Sequence, residues 1–222
     1  MTDLHGSASE NRIYYRQVES DGSFIRLLDD ADAIYSTIGN SGSIFYFHTT
    51  RDAPRGRIIA NKYTSTSRLA IHGGSNGGLL VAACMLQRHD LYGAVVCAVP
   101  VIDMLRYHRF TVGRYWIPEY GNAQADPEHF KFLYAYSPLH NVKEGLAYPP
   151  TLILSADTDD RVVPAHAKKF GAALQAASGG GNPILLRIET KAGHGFGKPT
   201  TKIIEEQADM YAFLFDVFDV DN

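Results

Sequence analysis

The sequence predicts an α/β protein: a doubly wound, mostly parallel sheet preceded by a small antiparallel β meander. Two observations carry this. Before residue 60 the chain runs in short aromatic and β-branched segments separated by turn residues. From Tyr63 onward, apolar strand-like runs alternate with amphipathic, helix-length stretches. The chain divides accordingly into a polar segment 1–12, a meander over 13–60 and an α/β unit over 61–222.

In the meander, "IYYRQV", "FIRLLD", "AIYSTIG", "SIFYFHT" and "GRIIA" are the candidate strands. Ser20-Asp21-Gly22, Asp29-Asp30, Asn40-Ser41-Gly42 and Asp52-Ala53-Pro54 punctuate them. Four or five such strands amount to about one propeller blade. No second copy follows in the sequence.

In the α/β unit, "RLAIHGG", "GAVVCAVPV", "PTLILSAD" and "PILLRIET" read as strands. Their near-continuous apolar character suits a parallel sheet covered on both faces. "SNGGLLVAACMLQRH" reads as a helix with Leu79, Leu80, Ala83, Cys84 and Leu86 turned inward. "PAHAKKFGAALQAAS" is a second helix, stopped by Gly179-Gly180-Gly181. "KIIEEQADMYAFLFDVF" is a third. The aromatic-rich stretch between residues 103 and 148 reads as mixed helix and loop.

Bulk chemistry narrows the function classes. The chain has 222 residues, enough for one domain with a substantial core. A net charge of −3 gives no electrostatic case for nucleic acid or an anionic membrane as partner. No apolar run reaches the roughly 20 residues of a membrane span, and "MTDLHGSASENR" lacks a signal-like apolar core. A soluble cytoplasmic protein is expected. Cys84 and Cys97 lie inside apolar stretches and read as buried free thiols; metal-ligand spacing is absent.

The chemistry starts at "IHGGSNGGL". Gly73-x-Ser75-x-Gly77 between a strand and a helix is the pattern of a sharp turn that lifts a serine hydroxyl above a sheet. The glycines on either side read as relief from backbone crowding. The amide of Asn76, at the helix start, would face a developing oxyanion. A serine needs a base, and the base needs an orienting carboxylate. "SADTDDRVVP" offers Asp157, Asp159 and Asp160 at the carboxyl end of a strand, where sites of open α/β sheets gather. Asp159 has the best spacing, with Asp157 and Asp160 still open. "KAGHGFGKP" sets His194 between two glycines in a tight loop after the next strand. His72, His108, His129, His140 and His166 read as structural or solvated.

These motifs, "GGSNGGLL", "ADTDDRVVPAHAKKF" and "TKAGHGFGKPT", together with "DMLRYHRFTVG" and "YSPLHNV", resemble the peptidase domain of the prolyl oligopeptidase family. The resemblance runs from Tyr63 to the C-terminus. It implies an α/β-hydrolase fold, no cofactor and no metal, and short proline-containing peptides as substrates, cut on the carboxyl side of proline. By residue, it implies Ser75 as nucleophile, Asp159 as orienting acid, His194 as base and Asn76 as backbone oxyanion donor. It further implies that Trp116 stacks on the proline ring, that Val101, Tyr120 and Val162 form other walls of its pocket, and that Arg161 binds a peptide carbonyl.

The pattern also breaks. "AIYSTIGNSGSIFYFHTTRDAPRGRIIA" is similar to one blade of the family's propeller, yet it joins the hydrolase segment directly across "IIANKYTS". The chain reads as the family with its middle removed, a partial hydrolase sheet without its first strands. The Tyr-Gly-x-Gly-Gly loop that gives the family a second oxyanion donor is missing from the sequence. Such a loss typically costs about 10²–10³ in turnover. The elbow strand is expected near a sheet edge. Two further readings follow: a non-catalytic truncated product, and a carboxylesterase-like hydrolase, against which Trp116 and Arg161 speak.

Overall fold

A computed structural model describes residues 65–195 and 198–220, together with 2–4, 11–15, 25–28, 33–41, 44–49, 51 and 57–60. The chain splits into two compact units, Met1–Ser65 and Thr66–Asn222.

The first unit holds two three-stranded antiparallel sheets. One consists of β1 (Thr2–Leu4), β2 (Asn11–Tyr15) and β3 (Ile25–Leu28). The other consists of β4 (Tyr35–Ser41), β5 (Ile44–Thr49) and β6 (Arg57–Ala60). All the meander segments form strands. They divide between two sheets, and Thr2–Leu4, inside the polar segment, supplies an additional strand by pairing with β2. The candidate turns at 20–22, 29–30 and 52–54 lie outside the described residues. Tyr35 and Phe47 are buried and Ile34 and Ile38 exposed, as alternation along strands requires.

The second unit is a parallel four-stranded sheet in the order β10-β9-β8-β7. Its strands are β7 (Ala70–Gly74), β8 (Ala94–Ala98), β9 (Thr151–Ala156) and β10 (Ile184–Glu189). Parallel neighbours need crossovers. α1 (Asn76–Gln87) connects β7 to β8, and α4 (Ala165–Ala177) connects β9 to β10. The β8–β9 crossover is the aromatic stretch: short 3₁₀ turns, α2 (Ile117–Tyr120) and α3 (Pro127–Tyr136). α5 (Thr200–Val217) follows β10.

Side chains alternate through the sheet and assign its two faces. Ala94 and Val96 of β8 and Leu152 and Leu154 of β9 pack on Met210 and Phe213 of α5. On the opposite face the Cys97 thiol donates to the Gly78 carbonyl of α1 at 3.2 Å. There too, Gly171 of α4 brings its backbone against Ile153 and Leu186. The wholly buried β9 is apolar but for Thr151 and Ser155 for this reason.

Helix α1 corrects one expectation. Its buried residues are Gly78, Leu79, Val81, Ala82, Met85 and Leu86, whereas Ala83 and Cys84 are half-buried and Leu80 is 48% exposed. The buried stripe is set by contact with β7 and β8, and Leu80 falls outside that arc. Among the described residues β7 has β8 as its one strand neighbour, so the elbow strand is an edge of this sheet.

Candidate active site

Three loops leave the carboxyl ends of β7, β9 and β10, and each delivers one polar side chain to the same place. Ser75 terminates β7 with φ 57° and ψ −115°, a left-handed-side conformation that a residue with a Cβ adopts at a cost of about 1–3 kcal/mol. Two backbone bonds hold it there. Its N–H donates to Ala98 O at 2.9 Å, and its carbonyl accepts from Leu79 N at 3.1 Å.

The glycines around it divide into two kinds. A Cβ on Gly73 would lie 2.2 Å from Gly77 O, and one on Gly78 2.8 Å from Ala98 O. A Cβ on Gly77 would meet nothing within 4 Å. The crowding expected at both Gly73 and Gly77 is therefore one-sided: Gly73 is the residue with no room, and the carbonyl of Gly77 is what fills it.

Asp159 sits in the loop between β9 and α4 with its side chain fully buried. Its Oδ1 accepts from the amides of Arg161 and Val162 at 3.0 and 2.8 Å. Its Oδ2 meets His194 Nδ1 at 2.7 Å. His194 Nε2 in turn lies 3.0 Å from Ser75 Oγ. An ionised carboxylate accepts and cannot donate, so the shared proton sits on Nδ1 and leaves Nε2 as acceptor for the serine hydroxyl. Asp157 does other work: its Oδ1 accepts from Ala192 N at 3.4 Å, and such backbone bonds hold its carboxyl below the usual range. Asp160 is exposed and lines the cleft described below. Of the three aspartates, Asp159 is the one in hydrogen-bond contact with His194.

The amide of Asn76 belongs to the first turn of α1, where backbone N–H groups lack intrahelical partners. The Ser75 amide is already bonded to Ala98, so Asn76 is the elbow residue with an N–H to offer a substrate oxygen.

Beside His194 an open cleft of about 540 Å³ is lined by Val112, Tyr115, Trp116, Asp160, Arg161, Gly193 and His194. Trp116 and Arg161 thus share the cleft with the histidine. Val101 and Val162, each 2% exposed, lie in one apolar cluster with Trp116 and Tyr120 packed against it. Among the described residues Arg161 forms no ion pair with Asp160. Tyr115, 66% exposed, and Val112 were not singled out from the sequence; their proximity to Trp116 was the signal available.

Of the histidines expected to be structural or solvated, His166 is structural. His166 is 2% exposed, and its Nδ1 accepts from Ile102 N and Asp103 N at 3.2 and 3.1 Å. Burial pushes its pKa down to about 4. Asp103, fully buried, accepts from Arg106 Nε at 2.9 Å and Lys169 Nζ at 3.0 Å. Among the described residues no three His, Cys, Asp or Glu side chains are grouped to hold a metal ion, and no helix is long and apolar enough to cross a membrane.

The chain matches the family model described as "Prolyl oligopeptidase family" over residues 56–221. It matches "Prolyl oligopeptidase, N-terminal beta-propeller domain" over residues 2–71. A prolyl endopeptidase of Elizabethkingia miricola is 52% identical over 153 residues, which is 69% of this chain and 22% of the relative. Prolyl oligopeptidase A of Amanita bisporigera is 47% identical over 158 residues, 70% of this chain and 21% of that one. A solved prolyl endopeptidase superposes with a TM-score of 0.70 at 58% identity, covering 72% of this chain and 24% of its own. Prolyl oligopeptidase B of Galerina marginata, bound to a 35-residue hydrolysis and macrocyclization substrate, gives 0.67 at 40% identity over 72% of this chain and 23% of its own. The chain thus spans 22% of the length of the first of these relatives. With this elbow, this loop order and these matches, the chain belongs to the prolyl oligopeptidase family.

Proposed function

We propose that the chain acts as a serine peptidase on short proline-containing peptides, cutting on the carboxyl side of proline through an acyl-enzyme. The observation that carries this is the unbroken relay from Ser75 Oγ to His194 Nε2 at 3.0 Å and from His194 Nδ1 to Asp159 Oδ2 at 2.7 Å. In this reading His194 takes the hydroxyl proton as Ser75 Oγ bonds to the peptide carbonyl carbon. The Asn76 N–H receives the resulting oxyanion, and the imidazolium, stabilised by Asp159, then protonates the departing amine. Water, deprotonated by the same ring, releases the acyl group. The Trp116 face suits a pyrrolidine ring, which brings no N–H to satisfy. Arg161, exposed at the cleft, is placed to donate to a peptide carbonyl. The reading sets the protein in the cytoplasm, where the unpaired thiols Cys84 and Cys97 stay reduced.

The edge position of β7 favours a second reading, a non-catalytic product of reduced stability. Labelling with a fluorophosphonate probe separates the two. The hydrolase reading expects covalent modification of the folded chain that disappears in Ser75→Ala. A folded, monomeric chain that takes up no label would reject it.

A further inference from the structure

Tyr120 enters the proposed reaction as a pocket wall, but its hydroxyl points elsewhere. It donates to Asn76 Oδ1 at 2.7 Å, bridging α2 to the residue after the nucleophile, 44 positions back in the chain. We propose that Tyr120 is a positioning residue for the oxyanion: its hydroxyl fixes the peptide plane that carries the Asn76 N–H. This rests on the hydrolase reading of the site.

That plane has three handles. Ser75 Cα is tied through its N–H to Ala98 O, and Ser75 O is tied by Leu79 N. The third is Asn76 itself, whose side chain is exposed and held by Tyr120 alone among the described residues. The first two handles are backbone bonds, and the Tyr120 bond adds a side-chain restraint on the Asn76 end of the plane from outside α1. An amide aimed at developing charge contributes in proportion to how little it must reorganise.

Tyr120 is suited to be such an anchor because it is rigid. Its ring meets Tyr107 edge-on, with centroids 5.4 Å apart, and Tyr107 stacks on Trp116 at 6.4 Å and 13°. Tyr107 is fully buried and its hydroxyl donates to the carbonyl of Gly121, the residue after Tyr120. Burial, reinforced by Glu119 and Tyr136, pushes the Tyr120 hydroxyl up to about 12, so it keeps the proton it donates. The same aromatic row therefore ends at one side on the cleft, through Trp116, and at the other on the side chain of Asn76.

The test is Tyr120→Phe, which keeps the ring and deletes the hydroxyl. Three readouts are taken: steady-state hydrolysis of a short chromogenic proline peptide, the rate of fluorophosphonate labelling at Ser75, and the amide ¹H–¹⁵N resonance of Asn76. Positioning expects kcat and labelling rate to fall about tenfold, KM to stay within about twofold, and the Asn76 resonance to move. In the background of Asn76→Ala, the Tyr120→Phe change should cost nothing further. A raised KM with unchanged kcat and an unmoved Asn76 resonance would reduce Tyr120 to a pocket wall and overturn the inference. A wild-type chain that takes no label would sink the hydrolase reading instead. The resonance, which needs no turnover, would then decide the Tyr120–Asn76 bridge by itself: a shift upholds it and no shift removes it.

Discussion

Asp103 and Asp159 follow neighbouring strands, β8 and β9, and both have side chains fully shielded from water. Their surroundings differ. Asp159 is met by two backbone amides and one imidazole, groups that cannot follow it if it moves. Asp103 is met by two flexible cations, Arg106 and Lys169, which are 49% and 38% exposed, while its Oδ1 has no hydrogen bond. Fixed dipoles suit a carboxylate that must hold another group in one orientation. Flexible cations neutralise a charge and tie chain segments together without setting an angle. In the proposed reading the two aspartates divide the labour between orienting a base and fastening loops, and each replacement below tests that division.

The largest effect is expected at Asp159→Asn. The amide keeps the shape but would favour the wrong tautomer of His194, with the proton on the nitrogen that faces Ser75. Turnover should fall by about four orders of magnitude, as it does when the acid of a serine–histidine–aspartate set is so replaced. Chemical denaturation should show little change. A variant that keeps even a tenth of its labelling rate would show that Asp159 is not the orienting group.

Next is the combined replacement Arg106→Gln with Lys169→Met. At mildly alkaline pH, where the His140 ring 3.8 Å from Oδ1 is neutral because burial lowers its pKa, this leaves the Asp103 carboxylate buried without a cation, and an uncompensated buried charge costs about 3–5 kcal/mol. The midpoint of urea unfolding should drop accordingly. A loss under about 1 kcal/mol would mean that water already reaches Asp103.

How much of this contrast the sequence discloses depends on what each residue needs from the rest of the chain. Ser75 and His194 announce themselves locally, because sharp turns demand glycine and the loops carrying them are short. Strands β8 and β9 are legible for a similar reason: a strand buried on both faces is dominated by apolar residues. Asp159 stood among three aspartates because its role is fixed by His194, 35 positions away, and by two amides whose direction only the folded loop defines. His166 read as structural or solvated because nothing in "VPAHAKK" shows that its ring faces the amides of Ile102 and Asp103, more than 60 residues upstream. Leu80 failed in the opposite sense. Helical periodicity allowed it an inner position, and the sheet, with β7 at its edge, did not cover it.

His166 offers a pH test of the fastening side. Burial, joined by Lys169, lowers its affinity for a proton and outweighs the opposing pull of Asp103 and Asp159, bringing the pKa to about 4, against 6.5 for an unconstrained ring. The folded chain therefore binds fewer protons at this site than the unfolded chain between those values. Stability is full above pH 6.5, falls as the pH drops towards 4, and changes no further below that. The span amounts to roughly 3 kcal/mol. Protonation also removes the lone pair that accepts from Ile102 and Asp103, so the loop carrying Val101 loses one of its ties to α4 and keeps the Lys169–Asp103 pair. Replacing His166 by Asn should flatten the acid side of the stability profile relative to wild type. Parallel profiles would show that other groups carry the acid loss.

The smallest effect, and the one that completes the contrast, belongs to Asp103→Asn. Here the charge is removed and the cations remain. Both are substantially exposed, so they can turn to water instead of staying stranded, and the amide oxygen can still accept from one of them. The cost should be about 1–2 kcal/mol, near that of a hydrogen bond to a charged partner. Fluorophosphonate labelling of the folded variant should proceed at the wild-type rate. The same chemical change would then abolish turnover with little effect on stability at one aspartate, and lower stability without touching the nucleophile at the other. Slowed labelling in folded Asp103→Asn would mean that the two loops move together, and that fastening and orienting are one function distributed over β8 and β9.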